Sequence, residues 1–367
     1  MHMLFAFLLL SVSVASSQPS TLSSTPASPD SITWRMVSDW GVEGRGWTDV
    51  KRFYDRLPAK AEATVRDKVW ELSRNSSGMS CRFTTDAPEI QVRYALLNSR
   101  LEMAHMPATG VSGVDLYTLL ETGEWRWIGT AQPTNRRVFA TIIRGMTPER
   151  RTYQLYLPLY NGIDSLAIGV TRGAAFEPIT PRSARPVVFY GTSIMHGACA
   201  SRPGMAIPAI LGRRLNIPVI NLGFSGNGKM EMEVGRLLTE LDAEIFVVDC
   251  LPNLTPEETA QRTEPLVRFL RETKPATPIL LVEDRVFPNS VVLADQMKGH
   301  NERHKALRGA YDRLIASGVQ NLYYLEGNGL LGADGEATVD GSHPTDLGMM
   351  RYADAYEKVL RSILKGR

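Results

Sequence analysis

The chain has 367 residues, 43% hydrophobic and 22% charged, and its 41 Lys and Arg against 39 Asp and Glu leave a formal charge of +2. That is globular composition with length for two domains, and it excludes disordered, collagen-like and coiled-coil chains. No basic excess exists to supply a nucleic-acid footprint, so any partner is chosen by a local site.

Met1 to Val14 is apolar and uncharged, and Ala15, Ser16 and Ser17 follow as small residues. This reads as a signal peptide over 1–17, too short to span a membrane, and it points to a secreted or periplasmic protein. Residues 18–32 are Ser, Thr, Pro and Ala with almost no bulky side chain, a composition that cannot offset ordering entropy, so a linker is expected. A β-rich domain is expected over 33–180. After a short helical stretch near Ala59 to Ser73, it shows period-2 alternation at Ile90–Leu96, Trp125–Ile128 and Tyr153–Leu157, which predicts half-buried antiparallel strands in a β-sandwich. Trp125 and Trp127 share a strand face and are expected in its core. Pro178, Pro181 and Pro186 interrupt both periodicities and mark the seam.

From 184 to 367 the texture changes to short apolar runs alternating with helical stretches. The runs are Val187–Tyr190, Pro218–Leu222, Ile245–Val248, Ile279–Val282 and Leu322–Leu325. Strands apolar on both faces predict a parallel sheet covered by helices on both sides. Ligands of such sheets bind beyond the carboxyl ends of the strands, so the residues after each run carry the information.

Gly191-Thr192-Ser193-Ile194 follows the first run, placing a serine at a strand-to-helix turn. A helix cap is the bland alternative, and the Gly-x-Ser-x-Gly elbow is not matched because Met195 replaces the second glycine. Gly223-Phe224-Ser225-Gly226-Asn227-Gly228-Lys229-Met230 follows the second. It fits either an oxyanion loop with an exposed glycine N–H or a phosphate loop lacking the magnesium-binding hydroxyl, since Met230 stands in its place. Asn253 follows the third run, as a second oxyanion donor or, in Asn253-Leu254-Thr255, as a helix cap or glycosylation sequon. Asp340-Gly341-Ser342-His343 follows the fifth, where a carboxylate three residues ahead can hold the imidazole Nδ1 proton and leave Nε2 for a nucleophile.

Four signals in the roles of nucleophile, two oxyanion donors and oriented base at four strand ends are unlikely to meet by chance. Together these residues resemble the SGNH (GDSL-type) hydrolase family. The resemblance implies Ser193, His343 and Asp340 as catalytic residues and Ser193, Gly226 and Asn253 as the oxyanion hole. It also implies a flavodoxin-like three-layer α/β/α domain with a parallel sheet and no cofactor. Two positions depart from the usual blocks: Thr192 replaces an Asp, and Leu-Pro-Asn-Leu replaces Gly-x-Asn-Asp. Gly113-Val114-Asp115-Leu116-Tyr117 resembles the Gly-x-Asp-Leu-Tyr signature of the β-rich, jelly-roll-like domain that precedes one branch of these hydrolases. The implied activity is that of a secreted serine esterase removing small acyl groups, acetate first, from carbohydrate. The alternatives are an inactive glycan-binding protein on a hydrolase fold, and a hydrolase of lipid or other carboxylic esters.

Other features receive structural readings. His300 and His304 stand at i and i+4 among basic residues and read as a solvated helix face, and without a Cys-x-x-Cys pair no metal site is expected. His196 reads as structural. Met230 and Met232 read as helix core. Arg202 and Arg285 fall where a substrate rim would lie. Cys81, Cys199 and Cys250 are buried thiols or, for the last two, a bridge.

Overall fold

The computed structural model describes residues 31–366, so the expected leader and nearly all of the linker lie outside the described residues. The first strands are β1 (Ile32–Met36), β2 (Ser80–Thr85), β3 (Glu89–Leu96), β4 (Asp115–Leu119), β5 (Trp125–Thr130), β6 (Arg137–Arg144), β7 (Arg151–Tyr156), β8 (Ile163–Thr171) and β9 (Phe176–Ile179). They make two antiparallel sheets, ordered β1-β8-β3-β6 and β5-β4-β7-β2-β9. The sheets share one core, with Phe83, Leu116 and Leu155 from one meeting Ile90, Val92 and Ile168 from the other. Pro178 is tolerated inside β9 because β9 is an edge strand, where its missing N–H deprives no neighbour. Trp127 departs from the core expectation: it is 42% exposed, although its indole N–H donates to the buried Asp115 Oδ1 at 2.5 Å. Trp125 packs against Tyr117 and Tyr156.

The second sheet system is parallel throughout, with β10 (Val187–Gly191), β11 (Val219–Gly223), β12 (Ile245–Asp249), β13 (Ile279–Val282) and β14 (Leu322–Leu325) in the order β11-β10-β12-β13-β14. Every residue of β10, β11 and β12 is buried, as a sheet covered on both faces requires. Two short helices, α1 (Asp67–Ser73) and α2 (Ala108–Val111), lie within the first half of the chain. The others are α3 (Ser193–His196), α4 (Ile207–Leu215), α5 (Met232–Leu238), α6 (Pro256–Thr273), α7 (Ala294–Ala316) and α8 (Asp346–Lys365).

Alternate strand residues sort onto the two faces. Val188, Tyr190, Phe246 and Val248 pack with α5, α6 and α7, and Val187, Phe189, Ile245 and Val247 pack with α4 and α8. Trp47, Leu57, Val69 and Trp70 join the first of these clusters. These side chains therefore belong spatially to the helical layer of the parallel sheet, although they precede most of the sandwich in sequence, while Tyr54 between them packs into the sandwich core.

The three cysteines are free and buried. Cys250 sits on one face of the parallel sheet and Cys199 on the other. The intervening sheet accounts for the absence of a bridge.

Candidate active site

The carboxyl ends of the central strands are level, since Gly191 of β10 pairs with Gly223 of β11 and with Asp249 of β12. This order reverses direction between β10 and its neighbours, the place where open α/β sheets bind ligands. Ser193 is the first residue of α3, and the helix is capped by Thr192, whose Oγ accepts from Ile194 N at 3.4 Å. The Thr192 substitution thus keeps a capping side chain and releases Ser193 from that task.

Ser193 Oγ lies 2.9 Å from His343 Nε2, and His343 Nδ1 lies 2.8 Å from Asp340 Oδ2. The same carboxylate accepts from the backbone N–H of His343 at 2.8 Å and of Ser342 at 3.0 Å. Burial by itself would raise the Asp340 carboxyl. The hydrogen bonds from the His343 N–H, its ring and the Ser342 N–H outweigh it and bring the group down to about 2. An ionised Asp340 keeps the proton on Nδ1 and presents the Nε2 lone pair to the serine hydroxyl.

The loop after β11 is tied to the nucleophile turn. Phe224 N donates to Gly191 O at 2.9 Å, and a Cβ at Gly228 would meet Gly191 O at 1.9 Å, so only glycine fits there. Gly226 sits at φ +70° with open space around it. Asn253 Nδ2 donates to Gly228 O at 3.4 Å, which brings the third strand end to the same loop. The bland role for Asn253 is taken elsewhere: α6 is capped by Thr255 in a reciprocal capping box with Glu258. Three strand ends and the loop beyond the fifth converge on one edge.

The phosphate-loop alternative has no geometry to support it. Met230 is buried at a positive φ, and the next helix begins only at Met232, whereas a phosphate loop runs directly into its helix N-terminus.

Several expectations change. Arg285 is 2% exposed and forms no rim. It ion-pairs with Asp284 and donates through Nε to Ser342 O at 3.0 Å and through Nη2 to Ser342 Oγ, bracing the loop that carries Asp340 and His343. Arg202 donates to Asp115 Oδ2 at 2.8 Å and to Tyr117 Oη at 2.5 Å. His300 is 2% exposed, and the His304 ring nitrogens sit 2.8 Å from Asp284 O and 3.1 Å from Glu283 Oε2. This histidine face therefore points inward, where acidic groups attract it, and is not solvated.

Four residues near the site carry no motif. Arg56 is fully buried without a carboxylate partner, and donates to four carbonyls: Asn75 O (2.9 Å), Leu72 O (2.7 Å), Asn221 O (2.9 Å) and Gly223 O (2.8 Å). The last two lie on the outer side of β11, an edge strand, so Arg56 covers an edge that would otherwise be unpaired. Burial lowers its guanidinium to about 9, still above neutrality. His196 lies 3.5 Å from it and stacks on Tyr160 at 4.1 Å. Burial, then the Arg56 charge, holds the His196 imidazole neutral. Tyr160 Oη donates to Ser193 O at 3.2 Å. His105, from the turn before α2, brings its ring centroid 5.6 Å from that of His343. The one advance signal for Arg56 was a charge between Tyr54 and Leu57, and for His105 its flanking by Met103 and Met106.

Residues 184–361 match the GDSL-like lipase/acylhydrolase family, and residues 32–176 match the GxDLY domain, the N-terminus of SGNH-hydrolase-type esterases. A crystal structure described as a GDSL-like lipase from Bacteroides ovatus is 34% identical, with 91% of this chain and 98% of that one covered at a TM-score of 0.87. The chain belongs to the GDSL-like lipase/acylhydrolase family. Within that family it is of the SGNH esterase type with an N-terminal GxDLY domain. Its fold is shared with a salicylyl-acyltransferase from a tetracycline biosynthetic pathway, at 19% identity, TM-score 0.70 and 91% and 98% coverage. It is also shared with a family two carbohydrate esterase from Cellvibrio japonicus, at 10% identity, TM-score 0.57 and the same coverage. No curated protein matches this SGNH-type hydrolase. Among its described residues no helix is long and apolar enough to cross a membrane.

Proposed function

We propose that the protein is an exported serine esterase that removes small acyl groups, acetate first, from acylated carbohydrate. The observation that carries this reading is the chain from Ser193 Oγ to His343 Nε2 at 2.9 Å and from His343 Nδ1 to Asp340 Oδ2 at 2.8 Å. In this reading Ser193 attacks the ester carbonyl as His343 takes its proton, and the tetrahedral oxyanion is held by the N–H groups of Ser193 and Gly226 and the Asn253 amide. His343 then protonates the departing alkoxide. Water, deprotonated by the same imidazole, releases the acid and regenerates the serine. None of these steps calls on a metal or cofactor.

Carbohydrate as the alcohol is supported by the fold shared with carbohydrate esterases, one of which has been solved with cellohexaose, and by a near-neutral chain that sets up no global preference for charged substrates. The apolar leader at 1–17 supports export. The test is turnover of 4-nitrophenyl acetate and release of acetate from acetylated polysaccharide. Ser193→Ala is expected to lower kcat by at least about a thousandfold; undiminished activity in that variant rejects the assignment. Glycan binding by wild type without cleavage of any ester would favour the inactive binding protein instead.

A further inference from the structure

His105, Cys199 and His343 come from three separate parts of the chain, yet one ring nitrogen of each histidine and the cysteine sulfur all lie within 4.8 Å of one another. Cys199 is 5% exposed, and its backbone N–H donates to Pro344 O at 3.0 Å, so the thiol is held beside the loop that presents His343. Neither the Cys199 thiol nor the His105 ring has a hydrogen-bond partner among the described residues, so both keep their lone pairs available. His343 Nδ1 is engaged by Asp340, so the ligand atom assigned to it is Nε2, the nitrogen that also faces Ser193 Oγ. Two imidazoles and a thiol are the donor types of borderline and soft divalent cations, not of calcium or magnesium.

We infer that His105, Cys199 and His343 form an inhibitory site for a thiophilic divalent cation such as Zn2+, seated over the base of the esterase reaction. Ideal Zn–N and Zn–S bonds place ligand atoms roughly 3.3–3.8 Å apart, so the cluster must close by about 1 Å. His105 lies on a short turn between Met103 and Met106, the part of the cluster best able to supply that movement. On binding, the Cys199 S–H bond breaks, its proton passes to water, and the thiolate electron pair forms the metal–sulfur bond. The Nε2 lone pair that would accept the Ser193 proton is committed to the metal, so nucleophile activation stops with no change in redox state.

The inhibition rests on the esterase reading; occupancy of the site does not, and the two are measured separately. Co2+ titrated into Ser193→Ala protein is expected to give a thiolate-to-cobalt charge-transfer absorption that is absent in Cys199→Ser. In the wild type, Zn2+ is expected to suppress 4-nitrophenyl acetate turnover, EDTA to restore it, and His105→Ala to weaken the apparent Zn2+ affinity by at least about tenfold while leaving metal-free turnover near wild type. The site is rejected if the cobalt band is missing, or if it persists in Cys199→Ser, or if Zn2+ inhibits wild type and His105→Ala equally. A cobalt band in a protein without ester turnover would overturn the function and leave the site standing.

Discussion

Thr192 and Thr255 cap the helices that Ser193 and Asn253 would otherwise serve, and this division of labour frees both polar side chains for the strand-end edge. It also makes Asn253 a clean probe, because truncating it leaves the cap of α6 intact. Asn253→Ala is expected to lower kcat by about 10²–10³-fold with little change in KM or Tm, since an oxyanion donor acts mainly in the transition state. A parallel fall in Tm would show that the amide is structural. Asp340 is held ionised down to about 2, so its carboxylate is expected to take up no proton in the acid limb of kcat/KM above that pH. The logarithmic slope there should be one, and a slope of two would contradict the assignment. Singly, Ser193, Gly226, Asn253 and His343 were weak signals; their placement after successive apolar runs made them legible, because strand order and strand-end position are properties of local pattern. Arg285 misled because a charged residue beyond a strand reads the same whether it faces substrate or, as here, braces Ser342.

At the level of elements, the buried strands β10, β11 and β12 end in one buried carboxylate, Asp249, whose Oδ2 accepts from Tyr356 Oη of α8 at 2.6 Å. Burial raises it to about 7 from an ordinary 3.8, with the Tyr356 hydrogen bond opposing and the nearby Asp284 adding to the rise. The folded state therefore binds more protons than the unfolded state between these values, and stability falls as pH rises through that window. Asp249→Asn removes the titration. Its Tm relative to wild type is expected to be more favourable at pH 8 than at pH 5; an offset that is the same at both pH values would refute the shift. The elements themselves were readable from periodicity, with β10, β12, β13 and β14 falling on the expected runs. Trp127 was not, because period-2 alternation marks a strand face without saying whether that face is covered.

In the whole molecule, two of the contacts that fasten the sandwich to the parallel sheet stand out. Asp115 of the Gly-x-Asp-Leu-Tyr motif accepts from Gly204 N at 2.9 Å and Arg202 Nη1 at 2.8 Å, holding the segment that follows α3. Arg56 reaches across to the outer carbonyls of β11. Replacing Arg56 by Met leaves four buried carbonyls without that donor, and the cost is expected to be about 3 kcal/mol or more in urea unfolding. A loss below about 1 kcal/mol would show that water replaces the guanidinium. Because the fastening runs from residues 47–70 into the helical layer of the other unit, unfolding is expected to be a single transition.

Composition, periodicity and the spacing of polar residues after apolar runs were enough to specify a sandwich followed by a parallel α/β sheet, and to draw attention to Ser193, Gly226, Asn253, Asp340 and His343, because each of these depends on neighbours close in sequence. Arg56 on β11, Asp115 against Gly204 and His105 beside His343 were decided by the tertiary structure alone. Each contact joins residues about ninety or more positions apart, and such a pairing is selected by which buried carbonyl, carboxylate or lone pair still lacks a partner once the sheets have packed.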